Sequence, residues 1–564
     1  MMNKNHTLII LLCLFCFAFG ANAQDLGTLT SQIKAQITPV QTGSKTYEIK
    51  FEPMEAGLIQ YGFDEIDSKG KKTTMLYEFN LADIDPYAVR EQTQKDAIYA
   101  VLSVRNKQKL VKVYKDGEVQ PYDNEVSIIV KDIESARAIT DAVKKAIPLA
   151  EKEVTGRLKV SGYDAMVNWL TANVKEVSLG TKTSAQLLSK GEKVGTLVFK
   201  EVLSDGKSSS EEIFMFNLAD LNVNTIAFKV TGNRFAINVE TLKKDKYIAV
   251  RKNGEVKPFV SEITINTNGV DEARDIKTVL TQLIPLAVEK VKADIPTVNS
   301  ASAGLQNIKA GTTDLKVGAK QVTQQLEAEC ICKFTQTESD AKSTESNVYK
   351  FNWMDFNPTF SAITVSGDKL FIELQVTDKR KMVMHTKNDK FDGYESELKL
   401  YMTDIESARR VKASVDKVIE KCKASYKEPF GADAGQAIAW LKDNIKEVTL
   451  EDVTIKQSLD QVEAGKNDKL KFTARELNAK GTGAEEVYEF NLADVNPLSI
   501  EIAAKGKWLY VTMESEFKNK IFNFYKDGKI QPYASKIEFA VNDTELARNV
   551  VGAFKKAVTS LKGK

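Results

Sequence analysis

The chain states one phrase four times: YEFNLADIDP from Tyr77, FMFNLADLNV from Phe214, YKFNWMDFNP from Tyr349 and YEFNLADVNP from Tyr488. Its central Phe falls at Phe79, Phe216, Phe351 and Phe490, so the periods are 137, 135 and 139 residues. A second signature lies 58 residues further on in every copy: DIESARAI, GVDEARDI, DIESARRV and DTELARNV, around Arg137, Arg274, Arg409 and Arg548. A Tyr or Phe sits 43 residues after the Phe each time, at Tyr122, Phe259, Tyr394 and Tyr533. The block between the signatures therefore takes no insertion. Repeats this long are whole domains, because solenoid turns run to only about 20–50 residues. The expected layout is a leader at 1–23 and repeats at 24–154, 155–293, 294–426 and 427–564.

Each copy reads alike. A short amphipathic helix opens it, clearest in DAMVNWLTANVKEV and GQAIAWLKDNIKEV. Strand patterns follow, joined by turn residues: Asp116-Gly117, Asn253-Gly254 and Asp527-Gly528 are strong hairpin signals. The third copy has Asn388-Asp389 there, which predicts a different turn. A long helix closes the copy, as in DTELARNVVGAFKKAVTSLK, with Asp543 placed as its N-cap. Leu546, Val550, Val551, Phe554 and Val558 form its apolar face. The predicted fold class is α+β: four tandem repeats, each a small antiparallel sheet or barrel closed by a C-terminal amphipathic helix.

About six or seven antiparallel strands, then an acidic cap and a helix, as in Ile537 to Val558, resembles the pleckstrin-homology-like superfold. The tryptophan usual in that helix has no counterpart here. The resemblance implies recognition of membrane phosphates by basic residues of the first hairpin. Repeat 2 has Lys190 and Lys193 there, repeat 4 has Lys466 and Lys469, repeat 3 has only Lys316 and Lys320, and repeat 1 has the acidic FEPMEAG. The pattern is not shared, so these lysines read as a solvated face. Fold analogy alone does not carry function.

MMNKNHTLIILLCLFCFAFGANAQ has an early Lys4, an apolar run from Leu8 to Phe19, and Ala21-Asn22-Ala23, which reads as a secretory signal cleaved before Gln24. The run is about 12 residues, whereas a membrane span needs roughly 20. Bulky Leu12 and Phe15 precede Cys13 and Cys16, a poor setting for lipid attachment. The expectation is an exported protein, periplasmic or extracellular, with no transmembrane segment in the mature chain. The formal net charge is +2, with no basic stripe, so a nucleic-acid partner is not expected.

Asn80, Asn217, Asn352 and Asn491 of the phrase, with Asp83, Asp220, Asp355 and Asp494, sit where a strand must turn. The arginines of the second signature fall in the first turn of the closing helix, where a cation opposes the helix dipole and needs a partner. The Asp of the same repeat is the expected partner: Asp83 with Arg137, Asp220 with Arg274, Asp355 with Arg409, Asp494 with Arg548. The competing reading makes each Asn, Asp and Arg set a ligand pocket. Duplicated domains share a fold before they share a site, which favours the structural role.

Catalytic and cofactor-binding constellations are hard to assemble. Past the leader the one histidine is His385, expected on an exposed strand. There is no metal-ligand motif, phosphate loop or nucleophile motif, so no cofactor and no metal are expected. NDKFDGYESE has Lys390 and Lys399 at two calcium-ligand positions and reads as a turn. These features point to a non-catalytic exported binding or scaffolding protein whose partner is an envelope protein, glycan or lipid. The alternative is an envelope hydrolase using carboxylates on a glycan or lipid.

Three cysteines follow the leader, all in repeat 3: Cys330, Cys332 and Cys422. In LEAECICKF the even positions alternate as an apolar face, and Cys422 joins Ala408, Val411, Val415, Val418 and Ile419 in one helical stripe. Three buried thiols packed as small hydrophobes are one reading. A disulfide from Cys422 to Cys330 or Cys332 is the other.

Overall fold

The computed structural model describes residues 25–179, 182–463, 466, 468–478 and 481–563. The expected leader lies outside them. The fold is α+β, with four repeated units of antiparallel sheet, each followed by a helix. In repeat 1 these are α1 (Leu26–Ala35), β1 (Val40–Thr42), β2 (Lys45–Pro53), β3 (Leu58–Ile66), β4 (Lys72–Asn80), β5 (Arg90–Gln94), β6 (Ala97–Ser103), β7 (Val111–Lys115), β8 (Glu118–Asp123), β9 (Glu125–Val130) and α2 (Ile133–Arg157). One sheet has the order β1-β2-β3-β4-β7-β8 and the other β5-β6-β9, and the same pair of sheets recurs in the other three repeats. The sheets do not close into a barrel.

Nine strands replace the expected six or seven. The phrase itself accounts for part of the excess. The Asn80 side chain accepts a hydrogen bond from Ala82 N–H (2.9 Å) and starts a 3-10 turn at Leu81–Asp83. That turn ends β4, and the chain re-enters the other sheet as β5. Asn217, Asn352 and Asn491 cap the equivalent turns. Phe79 and Leu81 are buried beside them.

The closing helices are capped as the acidic residues predict: Asp132, Asp404 and Asp543 accept from Ser135, Ser407 and Leu546 N–H. Each helix turns one apolar stripe to the sheets. In α2 that stripe is Ala136, Ile139, Val143, Ala146, Ile147 and Ala150, all buried. The Asn388-Asp389 turn does not differ from its counterparts. Both residues have positive φ, 47° and 62°, as do Asp116-Gly117 at 50° and 85°. Asn and Asp tolerate the left-handed region, so glycine is not obligatory there.

The residue just before β3 packs against the closing helix. In repeat 1 it is Gly57 (φ +77°), where an added Cβ would come within 2.6 Å of Ala150 Cβ. In repeat 3 the register places Cys330 at this position, one residue before Ile331 pairs with Asn352. There the approach is made by a covalent bond: Cys330 is joined to Cys422 of the closing helix, with Cα atoms 5.7 Å apart. Cys332 is a buried thiol, pushed up to about 12 by desolvation.

His385 is buried, not exposed as expected. Its ring stacks on Tyr349 at 4.7 Å, and Nε2 lies 2.9 Å from Asn347 Oδ1. The register pairs Tyr349 with His385 across two central strands, so the side chain cannot reach an edge. No helix among the described residues is long and apolar enough to cross a membrane.

The chain divides into two compact bodies. One comprises residues up to Glu255 with Val260–Val291, and the other Val256–Phe259 with Lys292–Lys564. The disulfide closes a segment of 92 residues in the second body. Reduction should therefore destabilise that body by roughly 3–5 kcal/mol in the chain-entropy account, measured by denaturant unfolding with and without reductant. Thiol titration of the unfolded, non-reduced chain from Gln24 onward should find one free thiol, Cys332.

Candidate functional site

The recurrent Asp and Arg meet, but not within a repeat. Arg274 of repeat 2 donates to Asp83 of repeat 1 (Nη2–Oδ2 2.5 Å) and also pairs with Asp271 of its own helix. Arg548 of repeat 4 binds Asp355 of repeat 3 through both Nε (2.9 Å) and Nη2, and Glu545 through Nη1 (2.6 Å). The predicted pairs are Asp83 with Arg137, Asp220 with Arg274, Asp355 with Arg409 and Asp494 with Arg548; instead Asp83 holds Arg274 and Asp355 holds Arg548. The sequence offsets are identical in every copy, so they cannot say whether a pair closes inside a domain or across a joint. Only packing decides that.

These pairs are nearly dry. The side chains of Asp83 and Arg274 are 13% and 12% exposed, and those of Asp355 and Arg548 are 11% and 13%. Burial pushes the Asp355 carboxyl up to about 6, against the pull of Arg548, so the pair is ionised at neutral pH. Burial raises Asp83 in the same way. The acidic residue one helical turn before each arginine offsets the unfavourable dipole, and in repeat 4 Glu545 also accepts from the Asn352 amide of repeat 3 (3.2 Å).

Three further contacts complete the joint. Tyr122 N–H donates to Gly232 O (3.3 Å), and its ring packs on Phe235 of repeat 2 at 5.1 Å. Tyr394 occupies the matching place in the core of repeat 4. The end of one closing helix also meets the start of the next: Arg157 binds Asp275 (2.5 Å), and Tyr426 OH donates to Asn549. Repeats 1 and 2 share one continuous core.

The remaining candidates are placed differently. Arg409 faces Glu406 at 3.4 Å, and Asp220 is buried. Arg137 is 65% exposed, with Glu134 at 3.7 Å, and Asp494 is exposed. These are the first Arg and the last Asp of the series.

A different feature has the shape of a binding site. In repeat 4 a cleft of about 440 Å³ opens between the two sheets. Phe472, Tyr488 and Tyr510 wall it, with Glu476, Glu486, Glu538, Lys526 and Lys536 around them. Tyr488 stacks on Phe524 (4.7 Å) and donates its hydroxyl to Glu486 (3.2 Å). Burial opposes the charge on Glu538, but Lys505 and Lys536 outweigh it and hold the carboxyl below its usual range. Glu538 is therefore unsuited to donate a proton near neutral pH. Repeat 1 has a smaller cleft of about 250 Å³ at the same place, walled by Tyr47, Phe63, Tyr77 and Tyr99. In repeat 2 the space is taken by hydrogen bonds from Ser184 (2.5 Å) and Asn266 (2.8 Å) to Glu201.

Glutamine holds the two sheets together at this cleft. Gln457 donates to Ala540 O and accepts from Ala540 N–H (3.1 Å), and Gln186 and Gln324 do the same with Asn266 and Tyr401. In repeat 1 the Tyr61 hydroxyl takes the N–H of Ile129 (3.0 Å) instead. These glutamines precede the phrase by variable distances because the intervening loops differ in length, so no fixed offset reveals them. Compared with known proteins, the chain matches no family model, no curated relative and no solved structure.

The joint makes a direct test. Arg548→Met should destabilise the second body by about 3–5 kcal/mol in denaturant unfolding, because Asp355 is left buried and unpaired. Asp355→Asn combined with Arg548→Met should cost less than the sum of the single changes. Arg137→Met should stay within about 0.5 kcal/mol.

Proposed function

We propose that the chain is an exported, non-catalytic binding scaffold. Its repeats 1 and 4 offer aromatic clefts, and its joints hold neighbouring repeats in fixed register. The observation that carries this reading is the buried Arg–Asp pair shared between repeats in each body. Such a contact makes two domains one rigid body with one open aromatic cleft, and two such clefts on one chain can add avidity to weak single-site binding. The two-sheet architecture with a closing helix supports the pleckstrin-homology-like resemblance at the level of element order. The lysines of the first hairpins do not supply the shared basic cluster that phosphate recognition on that fold would use. We favour instead a partner of the cell envelope, an envelope protein, glycan or lipid, taken up between the sheets.

Affinity capture from envelope fractions tests this. The chain from Gln24 onward should retain a partner, and Tyr488→Ala with Tyr510→Ala should lower its recovery at least tenfold while leaving unfolding of repeats 1 and 2 unchanged. Retention of nothing, together with turnover of a glycan or lipid substrate by the purified chain, would mean the scaffold reading is wrong.

A further inference from the structure

The joint between repeats has two unlike sides, and the ends of the series display one side each. The side that repeats 1 and 3 present to their neighbours consists of the phrase Asp and the aromatic residue 43 positions after the Phe. In those repeats Asp83 and Asp355 are buried on arginine, and Tyr122 and Tyr394 are 3% and 6% exposed. In repeat 4 the same positions are open: Tyr533 is 59% exposed, and Asp494 is exposed with no ion pair among the described residues. The receiving side consists of the helix arginine, the tip of the hairpin and one apolar residue beside it. In repeats 2 and 4 that apolar residue is Phe235 or Leu509, each 1% exposed. In repeat 1 it is Ile98, half-buried, and the helix arginine is Arg137, 65% exposed.

We propose that these two ends bind each other between copies of this chain. Repeat 4 of one copy docks on repeat 1 of the next, with Asp494 on Arg137 and Tyr533 against Ile98. The occupant is a second copy because the exposed groups complement each other in charge and in position, and because they continue a joint already built within the chain. The hairpin tip is Lys95 in repeat 1 where repeats 2 and 4 have Gly232 and Gly506. The backbone is the same, with φ of 55° at Lys95 against 61° and 59° at the glycines. A Cβ added at Gly232 or Gly506 meets no atom within 4 Å, so a residue with a Cβ fits at this tip beside a docked repeat. Its carbonyl is free in geometry to accept from Tyr533 N–H, as Gly232 accepts from Tyr122. Since the two faces differ, the contact is heterologous and does not close unless the rotation happens to complete a ring.

Sedimentation velocity of the chain from Gln24 onward, from nanomolar to high micromolar concentration, tests the proposal. A concentration-dependent series of species beyond the monomer is expected. Asp494→Arg and Arg137→Asp should each return the chain to monomer, with thermal unfolding as the check that each variant is folded. Both changes in one chain should restore association, because the pair is then reversed. A chain monomeric throughout, association untouched by either single change, or a folded double variant that stays monomeric would overturn the proposal. So would a discrete dimer lost with Asp494→Arg but kept with Arg137→Asp, which would mean that two repeat-4 ends meet.

Discussion

The buried arginine between repeats is the constraint on which the rest of each body depends. A guanidinium in the first turn of a helix is badly placed, because the exposed N–H groups there already carry positive charge. Arg274 and Arg548 are tolerated because two carboxylates meet each of them, one from the same helix and one from the neighbouring repeat. Taking such a pair out of water is expensive, and the attraction offsets that only with good geometry. Arg548 has such geometry, binding Asp355 through two nitrogens. The return is specificity of register: a repeat displaced along its neighbour would strand a charge in an apolar surface.

The joint also gives a use for the Asp of the phrase in repeats 1 and 3. Phe79 and Leu81 fill the core, Asn80 caps the turn, and Asp83 points out of that turn toward the next repeat. Four residues thus finish one domain and begin its connection to another. The clefts lie elsewhere, between the two sheets, where the residues are free to differ. Repeat 4 keeps aromatic walls and open space there, whereas repeat 2 fills the region with Ser184, Glu201 and Asn266. Similar scaffolds with dissimilar clefts are what duplication followed by divergence of a binding surface would leave.

How much could be read in advance follows from the range of each interaction. The hairpin turns, the N-cap Asp543, and the apolar stripe of the closing helix depend on neighbours a few residues away, and residue type and spacing exposed them. The nine-strand count was not legible, because a 3-10 turn and a short following strand look like one continuous run. His385 was misplaced because its burial depends on which strands lie on both sides, not on its own flanks. The Gln186, Gln324 and Gln457 clamps escaped notice because loop lengths shift their distance from the phrase.

By itself the sequence determined that four copies of one α+β domain follow each other, where their turns and helices fall, and that Asp and Arg recur in fixed step. Such features are set by local backbone preference and by periodic burial, which a single chain segment carries within it. Only the tertiary structure decided that Asp83 reaches Arg274 and Asp355 reaches Arg548, and that Cys422 bonds Cys330 while Cys332 stays a thiol. The reason is physical: a repeated pattern specifies equal surfaces on every domain, and which two of those surfaces touch depends on how whole domains pack.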